Sequence, residues 1–320
     1  MLNRKQDPIF TPISRHEQHH ESYTDDQIIE MFLAICSRSK YTVRNYKTAI
    51  ERFRQFISYK PLSEVTWQEI EVYKIGLMRG FCSKQSKPLA SATVASFIAP
   101  LRSLYKWGSD PNIKFFKLNP TSCVTTPRIL INSSNRYLTK QEVGLLLDQL
   151  KQQSVRDYLI GLTLVLMGLR VSELISIQWG HFAPDVLGSS VWLTVMDGKG
   201  GKQRTIKVPE QLWELINEYA KMRGTGTKPD QRLFSLSARQ VERIIQTASK
   251  NCNIGKSFTP HWLRHTNATL ALLYGASLQQ VQHNLGHSHI NTTQRYLHTV
   301  EQLAKAAPDF VQEGLHEFLR

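Results

Sequence analysis

Four short segments in the second half of this 320-residue chain gather side chains suited to holding an anion and moving protons. In GLRVSEL (168–174), Arg170 follows a strongly apolar run, where an unpaired guanidinium is costly. Glu173 stands three residues on, at a helical spacing that lets it orient Arg170 or simply neutralise it. GKGGK (198–202) has glycines for a tight turn and projects Lys199 and Lys202 from the tip; it reads as a groove-probing finger or as an ordinary solvated turn. TPHWLRH (259–265) puts Thr259 at a helix N-cap and Pro260 at the first helical position. His261 and Arg264 then share one face near the positive end of the helix dipole, with no acid in the turn to pair with them. That arrangement favours a phosphate-like ligand. LGHSHINTTQRY (285–296) offers Asn291 and Gln294 as a capping box for a helix that carries Tyr296 on its second turn. The trio His283, His287 and His289 has no carboxylate, thiolate or HExxH partner, which argues against a metal site.

These residues must be carried by a folded scaffold, and the chain supplies one. Residues 139–151 begin a helix with Thr139 and Glu142 as a capping box, and the apolar run 154–167 reads as a buried helix. Residues 191–209 alternate like two strands joined by the glycine-rich turn. Helices resume to the C-terminus. Upstream, Tyr46, Ile50, Phe53, Phe56 and Ile57 recur at three- and four-residue steps with basic residues opposite, and residues 67–80 and 91–107 repeat the amphipathic pattern. The expected organisation is a flexible arm (1–23, with His16, His19 and His20), a small basic helical domain (24–110), a basic linker (111–137) and a second domain (138–320). The linker reading rests on Pro111, Pro120 and Pro127, polar clusters, and one acid (Asp110) among the basic residues of 101–137.

Composition narrows the partners. Forty Lys+Arg against 26 Asp+Glu give +14, and residues 1–137 hold 20 of the basic side chains against 11 acids. Such an excess suits a polyanion, either nucleic acid or an anionic membrane surface. The longest strongly apolar stretch, Tyr158 to Leu169, falls well short of the roughly 20 residues that span a bilayer, and the N-terminus lacks the apolar core of a secretory signal. Cys36, Cys82, Cys123 and Cys252 are far apart with no CxxC pair, which suggests a reducing compartment. The expectation is a cytoplasmic nucleic-acid protein with no membrane partner.

Taken in order, GLRVSEL, GKGGKQR, HWLRHTNATL and LGHSHINTTQRYLH closely resemble the tyrosine recombinases of the phage-integrase and Xer class over residues 138–300, and more loosely over 24–108. The resemblance implies a mainly α fold with a small β-hairpin, arranged as a two-domain DNA clamp of a helical core-binding domain and a catalytic domain. It maps the family's catalytic set onto Arg170, Lys199, His261, Arg264, His287 and Tyr296, with Lys199 preferred to Lys202 on motif alignment. It also implies the roles. Tyr296 attacks the scissile phosphate to give a 3′-phosphotyrosine and a free 5′-hydroxyl, and Arg170 and Arg264 hold the non-bridging oxygens. Lys199 protonates the leaving oxygen, His261 is the partner in proton transfer at Tyr296, and His287 donates to the phosphate. No cofactor or metal is expected. The partners it implies are a double-stranded recombination site and a homotetramer passing through a Holliday junction. The slightly acidic, amphipathic segment 301–320 is then expected to pack on a neighbouring protomer, or else on its own domain. A type IB topoisomerase shares the chemistry but fits the size and motif wording less well. The span from Lys199 to His261 leaves little room for the extra helix of the integron integrases. A DNA-binding module of the same fold that has lost catalysis is the alternative from another class.

Overall fold

A computed structural model describes residues 23–36, 39–82, 86–128, 136–196, 203–224, 228–304 and 307–318. The chain divides into two compact units, Met1–Ile129 and Leu130–Arg320.

The first unit is helical: α1 (Asp25–Ile35), α2 (Lys40–Phe56), a 3-10 turn at Leu62–Glu64, α3 (Trp67–Arg79) and α4 (Ser91–Gly108). Thr24 with Gln27 and Thr66 with Glu69 form capping boxes that start α1 and α3 by occupying otherwise unbonded N–H groups. Ile50 and Phe53 of the predicted stripe are buried against Phe32, Ile70, Tyr73, Leu77, Ile98, Leu101, Leu104 and Tyr105, while Phe56 lies at the surface.

Residues 111–128 carry no helix or strand, yet part of them is no solvated tether. Phe116 and Val124 are buried in the helical core, with the Phe116 ring against Tyr105 at 4.8 Å. Lys74 Nζ donates to the Thr125 carbonyl at 2.9 Å, and Arg102 donates to that of Val124. Two apolar side chains in a proline-rich polar run were enough to fasten it, which composition alone concealed. Phe116→Ala is expected to destabilise this unit by about 3–5 kcal/mol, measurable by chemical denaturation.

The second unit holds α5 (Lys140–Gln153), α6 (Val155–Met167), α7 (Val171–Ser176), strands β1 (Phe182–Pro184), β2 (Val191–Met196) and β3 (Gln203–Val208), then α8 (Glu210–Met222), α9 (Ala238–Asn251), α10 (Pro260–Leu273), α11 (Leu278–Leu285), α12 (Ile290–Ala304) and α13 (Ala307–Gly314). The strands form an antiparallel sheet in the order β1-β2-β3, so the expected hairpin gains an edge strand. Met196 pairs with Gln203 at its last described rung. The hairpin tip, with Lys199 and Lys202, lies outside the described residues, as do His16, His19 and His20. Thr139 and Glu142 form their capping box as the sequence predicts. Asn291 does not: α12 already starts at Ile290, so Asn291 falls inside its first turn.

The core of this unit gathers Leu146, Leu150, Ile160, Leu164, Leu193, Ile206, Leu212, Phe234, Ile245, Phe258 and Leu263. Helix α6 packs on α5 and α8, and α10 packs on α6 and α12. Among the described residues no helix is long and apolar enough to cross a membrane. Val311, Leu315 and Phe318, at the C-terminal end, are exposed.

Candidate active site

The site is built where α6 ends. The last carbonyls of a helix lack intrahelical partners, and here side chains from α10 and α11 take them. Asn267 Nδ2 donates to the carbonyls of Val165 (2.8 Å) and Leu166 (2.9 Å), Asn284 Nδ2 to that of Met167 (3.2 Å), and Arg264 Nη1 to that of Gly168 (2.6 Å). Arg264 also donates to the Leu285 carbonyl at the end of α11. Gly168 turns the chain in the left-handed region (φ 62°), and a Cβ there would meet Asn267 Oδ1 at 2.5 Å. Two sequence segments about a hundred residues apart are thus fixed to each other through Arg264.

One buried carboxylate organises the cations. Glu173 accepts from the Arg170 backbone N–H (2.7 Å) and from Arg170 Nη1 (2.7 Å). It also receives both Arg204 Nη1 and Nη2, at 2.9 Å each, in a bidentate pair. Arg264 Nη1 lies 3.9 Å away. Burial pushes the Glu173 carboxyl up, but the arginine hydrogen bonds outweigh this and hold it below the usual carboxylate range. Arg204 Nε reaches across to the Asn284 carbonyl at 2.9 Å, so β3, α7 and the end of α11 meet at one guanidinium.

Three guanidiniums around one carboxylate leave an excess of positive charge. Arg170 is the least covered, its side chain 38% exposed against 3% for Arg264. Burial, and then Arg170, lower the Arg264 pKa to about 10, so it stays charged at neutral pH. An excess of buried cations with one solvent-facing arm suits an anion that accepts several hydrogen bonds.

The histidines and the tyrosine border this cluster. Gly286, at φ 65°, ends α11 and leads into His287. A Cβ on Gly286 would lie 2.9 Å from Arg204 Nη1 and 3.1 Å from its Cζ. Gly286→Ala therefore combines left-handed strain of about 1–2 kcal/mol with displacement of Arg204; the expected result is a lower denaturation midpoint and slower chemistry.

His287 Nδ1 lies 2.9 Å from the Oγ1 of fully buried Thr293. Burial, with Arg264 and Arg170, lowers its pKa to about 4, so the ring is neutral. When the Thr293 hydroxyl donates to Nδ1, Nε2 keeps the proton and can donate to an anion. The pKa of His261, on the exposed side of α10, is lowered by desolvation and then by the charges of Arg264 and Arg170.

Tyr296 is half-buried on α12, and its Oη is 2.7 Å from Nδ1 of His265. The resemblance implies His261 as the proton-transfer partner of Tyr296; the hydrogen bond to the Tyr296 hydroxyl comes from His265, one helical turn on. The His261 ring stands edge-on to that of His265 at 4.4 Å. Burial raises the Tyr296 pKa above its ordinary value, while Arg264 and Arg295 pull the other way.

Of the six predicted residues, the fold brings Arg170, His261, Arg264, His287 and Tyr296 together, while Lys199 is not described. Sequence reasoning passed over His265, Arg204, Asn267, Asn284 and Thr293. Arg204 had a usable signal: it alternates with Ile206 and Val208 on the inward face of β3, and a charge on a buried face needs a partner. His265 lies four residues after His261, on the same face of α10, but its partner is far away in sequence.

Residues 136–302, more than half of the chain, match the model of the phage integrase family, and residues 26–110 match the phage integrase N-terminal SAM-like domain. A tyrosine recombinase of Pseudothermotoga lettingae is 33% identical over 283 residues, covering 86% of this chain and 94% of that protein. Tyrosine recombinase XerC of Caldanaerobacter subterraneus subsp. tengcongensis is 29% identical over 308 residues, covering 88% and 84%. Among solved structures, a lambda integrase tetramer bound to a Holliday junction gives a TM-score of 0.67 at 18% identity, covering 87% of this chain and 78% of that one. XerH bound to palindromic difH substrate, in a post-cleavage complex, gives 0.65 at 18%, covering 92% and 85%. At such identity these structures establish the fold, while the family match and the relative one-third identical along nearly its whole length establish the kinship: the chain belongs to the phage integrase family, among the tyrosine recombinases.

Proposed function

We propose that the protein is a site-specific DNA recombinase that cuts and rejoins strands through a phosphotyrosyl intermediate. The observation that carries this reading is the Tyr296 phenol beside a cluster of arginines that share the single carboxylate of Glu173. A bound phosphodiester supplies the missing negative charge. Arg170 and Arg264 hold its non-bridging oxygens, and His287 donates a further hydrogen bond, so charge developing at phosphorus meets fixed donors.

Tyr296 Oη attacks phosphorus and the bond to the 5′-oxygen breaks, leaving a 3′-phosphotyrosine. Lys199 gives the leaving oxygen its proton. Rejoining is the reverse, with the 5′-hydroxyl of another strand attacking. One phosphodiester replaces another, so no external energy source enters. Two such exchanges between paired sites pass through a Holliday junction. We assign the protein to the compartment that holds its DNA, the cytoplasm or nucleoid.

Supporting a protomer contact, Val311, Leu315 and Phe318 stand exposed at the C-terminal end. We assign them to the surface of a neighbouring subunit in a DNA-bound homotetramer. Removing residues 307–320 is expected to leave single-site binding intact and to weaken assembly of two-site complexes, read by gel mobility.

The test of the function mixes the purified protein with DNA flanking its own gene in EDTA and looks for protein-linked DNA after SDS. An adduct is expected; a strongly bound site, offered as a nicked duplex, that yields none contradicts it. Binding itself is expected to weaken steeply with salt, with a log–log slope of about −0.9 per phosphate contact. A shallow slope in a titration from low to moderate salt contradicts a broad basic footprint.

A further inference from the structure

We propose that His265 is a catalytic residue of the cleavage reaction, taking the phenolic proton of Tyr296 on its Nδ1 as the phenol attacks phosphorus. This rests on the recombinase reading and deepens it by one residue. The geometry is direct. Nδ1 and Oη are 2.7 Å apart, already within proton-transfer distance, and the two rings are tilted at 55° with centroids 5.5 Å apart. Tyr296 needs such a partner, because burial makes its proton harder to remove.

The groups facing His265 are cationic or neutral. His261 and Arg264 come from α10, His287 from the turn before α12, and Arg136 from the segment before α5. Desolvation first, then these neighbours, lower its pKa to about 4, so the imidazole is unprotonated at neutral pH and its Nδ1 lone pair is open to the phenol when Nε2 holds the ring proton. The same surroundings make it a weak base while the site lacks an anion. A phosphodiester on Arg170 and Arg264 offsets the neighbouring cations, and the imidazole then accepts a proton more readily. The base is thus strengthened by the substrate it acts on.

The step balances within the site. The Oη–H bond breaks and the proton passes to Nδ1, giving an imidazolium. The Oη–P bond forms as the P–O5′ bond breaks, and the 5′-oxygen takes the proton of Lys199. In rejoining, the imidazolium returns its proton to Oη as the phenol leaves. His261, edge-on to His265, packs beside the base.

The experiment is single-turnover cleavage of a nicked duplex that traps the adduct, with DNA affinity measured alongside. It compares the unsubstituted protein with His265→Asn, which places an acceptor near Nδ1 but cannot hold the proton. A fluorotyrosine, whose phenol is more acidic, is then installed at position 296 in both. His265→Asn is expected to slow cleavage by about 10²–10⁴-fold with affinity unchanged within about twofold. The fluorotyrosine is expected to recover at least about tenfold of that loss, while changing the protein that retains His265 little. His265→Gln is run in parallel as a second variant that removes the base. Wild-type rates in both variants, or a loss that the acidic phenol does not relieve, overturn the proposal. Absence of adduct from the unsubstituted protein overturns the recombinase reading along with it, so the two failures are told apart.

Discussion

Tyr296→Phe is expected to lower covalent adduct formation by at least about 10⁴-fold while leaving DNA affinity within about twofold. The size follows from what is removed. The phenyl ring fills the same half-buried place, so packing against the cluster of Ala268, Leu272, Val281 and Leu285 is kept, but no oxygen remains to bond to phosphorus. Loss of a nucleophile leaves only the background stabilisation given by the other donors. The loss also leaves His265 Nδ1 without its hydrogen bond. A quantitative SDS-resistant adduct assay, run beside a filter-binding titration, separates the two quantities. A Phe variant that still forms adducts assigns the nucleophile elsewhere.

Glu173→Ala is expected to destabilise the second unit by about 3–5 kcal/mol, a fall of roughly 10 °C in Tm for a unit of this size. The carboxylate is the only acid bonded to Arg204 and the nearest to Arg264 among the described residues, and both guanidiniums are buried. Removing it leaves uncompensated charge in a low-dielectric place, which is far worse than losing its four hydrogen bonds alone. Glu173→Gln keeps the shape and part of the hydrogen bonding, and its loss of stability is expected to be smaller, while adduct formation still falls because Arg170 loses its ion pair and is held less firmly. Calorimetry with the cleavage assay checks both; equal melting of E173A and wild type contradicts the account.

The same groups set the response to acid. Glu173 has a native pKa below its ordinary value of 4.5, so its contribution is present above that value and declines as pH falls toward the native one. His265 and His287 are shifted from 6.5 to about 4, so folding favours their neutral forms; that contribution is present above pH 6.5 and is lost as pH falls toward 4. All three therefore act in one direction, and Tm is expected to drop on acidification from pH 6.5 to about 4. A flat Tm over that window contradicts the buried, neutral state of the two imidazoles.

Much of this was legible beforehand, for identifiable reasons. Helices α2, α3 and α4 show their apolar period plainly, α6 stands out as an apolar run, and Thr139 with Glu142 marks a start that the fold uses. Arg170, His261, Arg264, His287 and Tyr296 stood out because each sits beside local punctuation: a glycine, a helix start or a short polar run. What supports them did not stand out. Asn267 and Asn284 look like ordinary polar positions on α10 and α11, and only the carbonyls at the end of α6 give them a purpose. Phe116 and Val124 are isolated apolar residues in a polar stretch, with no period to reveal that they are buried. Asn291 misled because its side chain suits a cap so well, although the backbone had already turned helical one residue earlier. Short-range pattern finds elements and punctuated motifs; pairings across a hundred residues need the fold.

Arg204 joins a strand to two separate helices through Glu173 and the Asn284 carbonyl. One consequence concerns how the site comes apart. A fluctuation that lifts β3 also unpins Glu173 and the end of α11, so these segments open as one cooperative unit rather than fraying singly. In native-state hydrogen exchange, the amides of Arg204, Leu174 and Gly286 are then expected to share one opening free energy, and Arg204→Met is expected to split them into separate classes.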